Sequence, residues 1–292
     1  MPDYIIKGCT VADDNDLGRN NMSAFWQDPN WRLVWKTVDL PFVIEQASAR
    51  VPRLLLKDRD TMRHFKAVDP ETGKLVGYIR WTLPIKHCKN EDGSPVWPEG
   101  QTPDVSPEEK ARLIKRAEAA DWNPSSEADH LDDPVGKKKK EFLAKKDYLV
   151  IEYFAVHPEN QGKGVGTALL KHGIEKAQEL GIDIFVLAFV GGFRAYNNAG
   201  FITLDSLVQD ATAYGGNDNY AVQFMEYRVD DTTKAIKTDP TFDTWFAYAE
   251  KPEDRGDCSD DLLVNFDDGC HNVDTFISGR RINCVNLDIN AL

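Results

Sequence analysis

The chain has 292 residues, 41% of them hydrophobic, which is enough to bury a core and too apolar for disorder throughout. A net charge of −13 argues against nucleic acid as the main partner. No apolar run nears the ~18 residues of a membrane-crossing helix, and residues 1–4 lack a secretory start, so a soluble cytoplasmic protein is expected.

Residues 4–7 alternate weakly and suggest a first strand. Asp13, Asp14 and Asn15 offer capping oxygens for a helix reaching toward Trp26. Residues 40–57 are amphipathic, with Phe42, Val43, Ala47 and Val51 on one side, and Pro52 ends or kinks that helix. Residues 64–68 and 75–83 read as a hairpin about the turn formers of residues 69–74.

From residue 84 to about 146 the chain turns polar and proline-rich, and reads as an insertion over the functional face. One helix is well signalled there: Ser106 as cap, Pro107 at the first position and Glu109 to complete a capping box. Residues 137–140, with Lys145 and Lys146, form a basic run that is either a solvated helix face or a seat for an anionic group.

Residues 148–156 are nearly all apolar and β-branched or aromatic, the strongest strand signal in the chain. A helix over residues 164–180 follows, with Gly166, Leu169, Leu170, Gly173, Ile174 and Ala177 as its buried stripe and Gly181 past its end. Residues 183–189 form a second buried strand. A short helix over 192–199 and strands over 201–207 and 220–229 complete the pattern. After residue 230 it decays. The last segment holds about 14 acidic against about 6 basic side chains, and its aromatics, among them Trp245 and Phe266, follow no period. The five cysteines, Cys9, Cys88, Cys258, Cys270 and Cys284, are odd in number and lack zinc spacing even with His271 nearby. Reduced thiols and no metal are expected.

The chemistry concentrates between the strand at 148–156 and its helix. A helix start offers free N–H groups and the positive end of the macrodipole, and glycines let a phosphate approach the backbone. Lys163 precedes Gly164, so the P-loop order fails, and Gly162, Gly164 and Gly166 do not give the dinucleotide fingerprint. Gln161-x-x-Gly164-x-Gly166, preceded by Val156-x-Pro158, matches a third pattern. Downstream lies Ala195-Tyr196-x-x-x-Gly200-Phe201.

This ordered pair of motifs resembles the GNAT superfamily of N-acetyltransferases. The resemblance is clear over residues 148–205 and extends plausibly back to residue 4. It implies an α/β fold of mixed α+β type: a mixed, mostly antiparallel twisted sheet with a splayed strand pair, flanked by helices. It implies acetyl-CoA as acetyl donor and a small-molecule or peptide amine as acceptor. Residues 1–230 would be the acetyltransferase domain, with the insertion at 84–146, and 231–292 an acidic extension. Pantetheine would pair with the backbone of Phe154, Ala155 and Val156, where a bulge would also supply an N–H for the oxyanion. The pyrophosphate would rest on Gln161, Gly162, Lys163, Gly164, Val165, Gly166 and Thr167. The basic run could then meet the 3′-phosphate of coenzyme A. Tyr196 matches the family's general acid, its other reading being a packing residue. Phe189 departs from the Asn that often precedes that tyrosine by seven places. A non-catalytic coenzyme A sensor or scaffold is the alternative.

Glu152 is the one charged side chain within residues 148–156. It is either a base whose pKa burial would raise toward neutrality, or a carboxylate that faces solvent or ties to a neighbouring strand. His157 is a further candidate base whose place beside Pro158 suits a structural role. Arg80 and Trp81 are expected to reach toward an acceptor.

Overall fold

The β-branched and aromatic run ending at Val156 forms the middle strand of a seven-stranded sheet. The computed structural model describes residues 3–35, 37–127, 129–214 and 220–230. The strands are β1 (Ile5–Gly8), β2 (Met62–Val68), β3 (Leu75–Thr82), β4 (Leu149–Val156), β5 (Ile184–Ala188), β6 (Ile202–Gln209) and β7 (Tyr220–Tyr227). They lie in the order β1-β2-β3-β4-β5-β7-β6, and only β4 and β5 run parallel. This is the expected mixed, mostly antiparallel sheet.

Seven α-helices flank it among the described residues: α1 (Asp14–Phe25), α2 (Pro29–Arg32), α3 (Leu40–Leu55), α4 (Pro107–Glu118), α5 (Asp132–Leu143), α6 (Val165–Leu180) and α7 (Val190–Asn198). Local chemistry sets their limits. The Asp39 carboxylate accepts the Phe42 N–H at 3.0 Å and starts α3, while Pro52 sits in its last turn. Ser106 Oγ accepts the Glu109 N–H at 3.2 Å and starts α4. Gly181 ends α6 with a φ of 63°, in the left-handed region.

The period of two along β4 divides the core. Ile151 joins Ile79, Trp81 and Val186 beneath Leu169, Leu170 and Ala177 of α6 and Phe193 and Tyr196 of α7. Val150, Phe185 and Phe224 face the other way, onto Met22 of α1, Val43 and Ala47 of α3 and Val135 of α5. The α6 face is packed closely: a Cβ added to Gly173 would lie 2.0 Å from the Trp81 ring.

Two expectations change. Residues 84–146 hold a second helix, α5, and they do not lie over one face. Cys88, Val96 and Trp97 join the α6 side of the core, while Leu131 and Val135 join the α1 and α3 side. The acidic extension of 231–292, with Cys258, Cys270, His271 and Cys284, lies outside the described residues. Among those described, no helix is long and apolar enough to cross a membrane.

Candidate active site

β4 and β5 pair only through Leu149↔Ile184, Val150↔Phe185 and Ile151↔Val186. Beyond that point β4 keeps β3 alone and β5 keeps β7 alone. The register with β3 supplies the cause. Arg80 faces Tyr153 while Trp81 faces Ile151, so Glu152 is an extra residue in a β-bulge, and a bulge bends and twists the strand that carries it. The bulge therefore sits at Glu152, ahead of its expected place at Phe154–Val156, because its position depends on pairing with β3 and not on β4's own pattern.

Past the bulge, Phe154 and Val156 pack on the α6 side, and Tyr153 and Ala155 on the α1 side. The Ala155 carbonyl accepts Asn20 Nδ2 at 3.3 Å, and the Val156 carbonyl accepts Gln161 Nε2 at 3.2 Å. Of the backbone expected to meet pantetheine, these two oxygens already have side-chain donors.

After β4 the chain makes one 3-10 turn, Pro158–Asn160, and enters the glycine loop. Gly162 and Gly164 have φ of 72° and 89°, which glycine adopts without the strain a Cβ brings. The earliest helical bond of α6 runs from the Ala168 N–H to the Gly164 carbonyl at 3.0 Å. The N–H groups of Val165, Gly166 and Thr167 precede it, so the helix itself supplies them no acceptor. Gln161, Gly162, Lys163 and Thr167 are exposed, Gly164 and Gly166 half-buried, and Val165 buried. The Lys163 carbonyl accepts the Tyr4 hydroxyl at 3.3 Å, tying the loop to the start of the chain.

Phe154 links this loop to Tyr196. A Cβ on Gly166 would lie 3.0 Å from the Phe154 ring, and the Phe154 and Tyr196 rings are 5.6 Å apart. Tyr196 also packs on Phe201 at 5.4 Å and is 4% exposed. Burial pushes its phenol well above the usual tyrosine range, so it stays protonated at neutral pH. Phe189, seven residues earlier, is buried against Tyr220 and presents no amide.

Glu152 lies on the opposite face. Its Oε2 is 2.8 Å from Lys139 Nζ of α5, with Lys139 buried and Glu152 half-buried. The premise of a lone carboxyl in apolar surroundings is thereby corrected. In the basic run Lys137 and Lys140 are exposed, as a solvated helix face would have them, while three other lysines are paired. Lys138 pairs with Asp205 at 2.7 Å, Lys139 with Glu152, and Lys146 with Asp183 and Glu226. These lysines are spent on the protein's own acids, across the sheet from α6, and do not form a phosphate seat beside the loop. The missed signal was Val135 and Lys139 four apart, which places both on the inward side of one helix.

His157 is buried 3.8 Å from Glu159. Burial, with Arg19 nearby, lowers its pKa. Arg80 and Trp81 are both fully buried, on opposite faces. Trp81 is closed beneath α6, and Arg80 stands 5.6 Å over the Tyr153 ring. Trp81 therefore reaches no acceptor.

The Acetyltransferase (GNAT) family model matches residues 26–201, a span that takes in β4, the glycine loop, α6 and Tyr196. The chain belongs to the GNAT acetyltransferase family. The acyl donor of GNAT enzymes is acetyl-CoA, and the amides at the start of α6, which have no acceptor among the described residues, fit with the parted strands a diphosphate and an extended thioester arm. Among solved structures, a protein of the yellow fever mosquito Aedes aegypti named arylalkylamine N-acetyltransferase 7 shares the fold. Its TM-score is 0.51 at 15% identity, covering 78% of this chain and 88% of that one. A Corynebacterium glutamicum protein described as histone acetyltransferase HPA2 and related acetyltransferase aligns at TM-score 0.45 and 21% identity, covering 77% and 96%. The Salmonella typhimurium protein yncA, solved with its cofactor acetyl-CoA, aligns at TM-score 0.40 and 16% identity, covering 81% and 99%. No curated protein matches this GNAT chain in sequence.

Proposed function

We propose that this GNAT protein is an N-acetyltransferase acting on a primary amine. Residues 1–230 are its catalytic domain, 84–146 an insertion, and 231–292 an acidic extension. One observation carries the reading. The start of α6, whose first amides have no acceptor among the described residues, the parted strand β4 and the protonated Tyr196 meet through a single side chain, Phe154.

Acetyl-CoA supplies an acetyl thioester. The N–H groups along Gln161, Gly162, Lys163, Gly164, Val165, Gly166 and Thr167 hold its diphosphate. The backbone of Phe154, Ala155 and Val156 lines the extended arm and offers an N–H to the developing oxyanion. The amine enters on the face opposite α6 and α7, beside the half-buried Glu152. Lys139 fixes Glu152 Oε2, and Oε1 takes the ammonium proton. As nitrogen bonds to the acetyl carbon and the carbon–sulfur bond breaks, Tyr196 gives its proton to the sulfur; the second nitrogen proton leaves to solvent, from which Tyr196 is reprotonated.

The test is thermal unfolding with acetyl-CoA. At a hundredfold excess over Kd, stability rises by about 2.7 kcal/mol. Gly164→Glu abolishes the rise, since a carboxylate then occupies the phosphate position on strained backbone. A flat response at millimolar acetyl-CoA ends the proposal. Binding with no thiol released across polyamines, amino acids, amino sugars and lysine peptides leaves a coenzyme A sensor instead.

A further inference from the structure

α3 carries a positive charge that the described residues do not neutralise. Arg50 is 6% exposed, yet its Nε and Nη2 have no hydrogen-bond partner. Arg53, one turn on, has a buried Nη2 in the same condition. The neighbouring acceptors are committed elsewhere. Arg116 of α4 holds the Asp14 carboxylate at 2.5 Å and the carbonyls of Ser48 at 3.1 Å and Ala49 at 3.4 Å. Gln46 Oε1 accepts the Asp121 N–H at 2.8 Å. Arg50 does lie 5.2 Å over the Trp122 ring, but stacking on an indole returns only part of what burying a guanidinium costs. Burial, with Arg53 beside it, pushes Arg50 down to about 10.

A flat cation on an indole, with two inward donors and a second guanidinium one turn away, is complementary to an oxyanion. Paired N–H groups match the two oxygens of a carboxylate or phosphate. A row of packed rings separates the seat from β4: Trp122 to Trp35 at 4.7 Å, Trp35 to Trp31 at 5.6 Å, Trp31 to Phe25 at 5.9 Å and Phe25 to Tyr153 at 5.1 Å. Tyr153 adjoins the bulged Glu152. We propose that Arg50, Arg53 and Trp122 form an oxyanion seat for a carboxylate or phosphate.

The full chain is heated in saturating coenzyme A, which fills the α6 loop, with increasing inorganic phosphate against chloride at equal ionic strength. Phosphate raises the wild-type midpoint, and Arg50→Met and Arg53→Met each weaken the apparent phosphate affinity by about tenfold or more. Without phosphate, Arg50→Met is at least as stable as the wild type, because an uncompensated charge has gone while the stem still covers Trp122. No phosphate response, an equal response in both variants, or an Arg50→Met chain weakened without phosphate overturns the seat. A coenzyme A that does not bind defeats the acetyltransfer reading and leaves the phosphate titration able to speak for the seat.

Discussion

Tyr196 and Glu152 stand on opposite faces of the split in β4, each with a different constraint on its proton. The Tyr196 ring is held by Phe154 and Phe201, and among the described residues its hydroxyl takes no hydrogen bond. Tyr196→Phe therefore keeps the packing, the acetyl-CoA affinity and the stability, while kcat falls about 10²-fold, the low end for a lost general acid. An unchanged kcat in a stopped assay removes Tyr196 from the chemistry. Glu152 is harder to read by substitution because Lys139 leans on it. Glu152→Gln lowers kcat by about 10²–10⁴-fold if it is the base. Lys139→Met strands a half-buried carboxylate and lowers stability by less than the ~3–5 kcal/mol of a fully buried pair. Urea denaturation beside single-turnover rates separates the two. A Glu152→Gln enzyme that is merely less stable, with its rate intact, assigns the pair to structure alone.

α6 is where sequence, packing and binding meet. Its N-terminus can present amides to a diphosphate only if the helix lies close on β3, and Gly173 makes that approach possible. Gly173→Ala puts a methyl 2.0 Å from a Trp81 ring that is itself fully buried. Relief requires α6 to lift, at about 1–3 kcal/mol of overpacking. The weakened fold is read by urea denaturation and the shifted amides by the acetyl-CoA Kd. A variant that loses stability but binds as before shows that the loop is positioned independently of the helix axis. The stripe of α6 and the apolar run of β4 were legible in the sequence because each is a local period tied to one face. The bulge was not, since Glu152 becomes the extra residue only against Arg80 and Trp81 of β3. α5 was obscured by Pro134, Gly136 and the lysines around its inward face. Lys139 looked like one more solvated cation because its partner lies on another element. Gln161, the loop glycines and Tyr196 could be placed from the motif, whereas the side-chain donors on the Ala155 and Val156 carbonyls needed α1 and the loop in three dimensions.

Across the whole molecule, stability is tied to pH through buried imidazoles and their partners. His64 is 1% exposed on β2, with Nδ1 2.8 Å from the Tyr78 hydroxyl. Burial first, then Arg80 and Arg63, hold its pKa well below the usual 6.5. Above that value the imidazole is neutral folded and unfolded, and its full contribution is present. As pH falls below 6.5 the unfolded chain takes a proton that the folded chain refuses, so stability drops by about 1.4 kcal/mol per pH unit toward the folded pKa. His157 and His172, also lowered, act in the same direction. Glu226 belongs to a lower window: burial raises it, but Lys146, Arg228 and Tyr148 outweigh that and lower it, so its contribution is lost only below the usual 4.5. Urea midpoints between pH 7 and 5 thus isolate the histidines. His64→Phe leaves the Tyr78 hydroxyl without its partner and lowers stability by about 1–3 kcal/mol at every pH, yet it flattens the fall between pH 6.5 and 5. A parallel curve, displaced but equally steep, shows that the buried imidazole is not what the fold protects from acid.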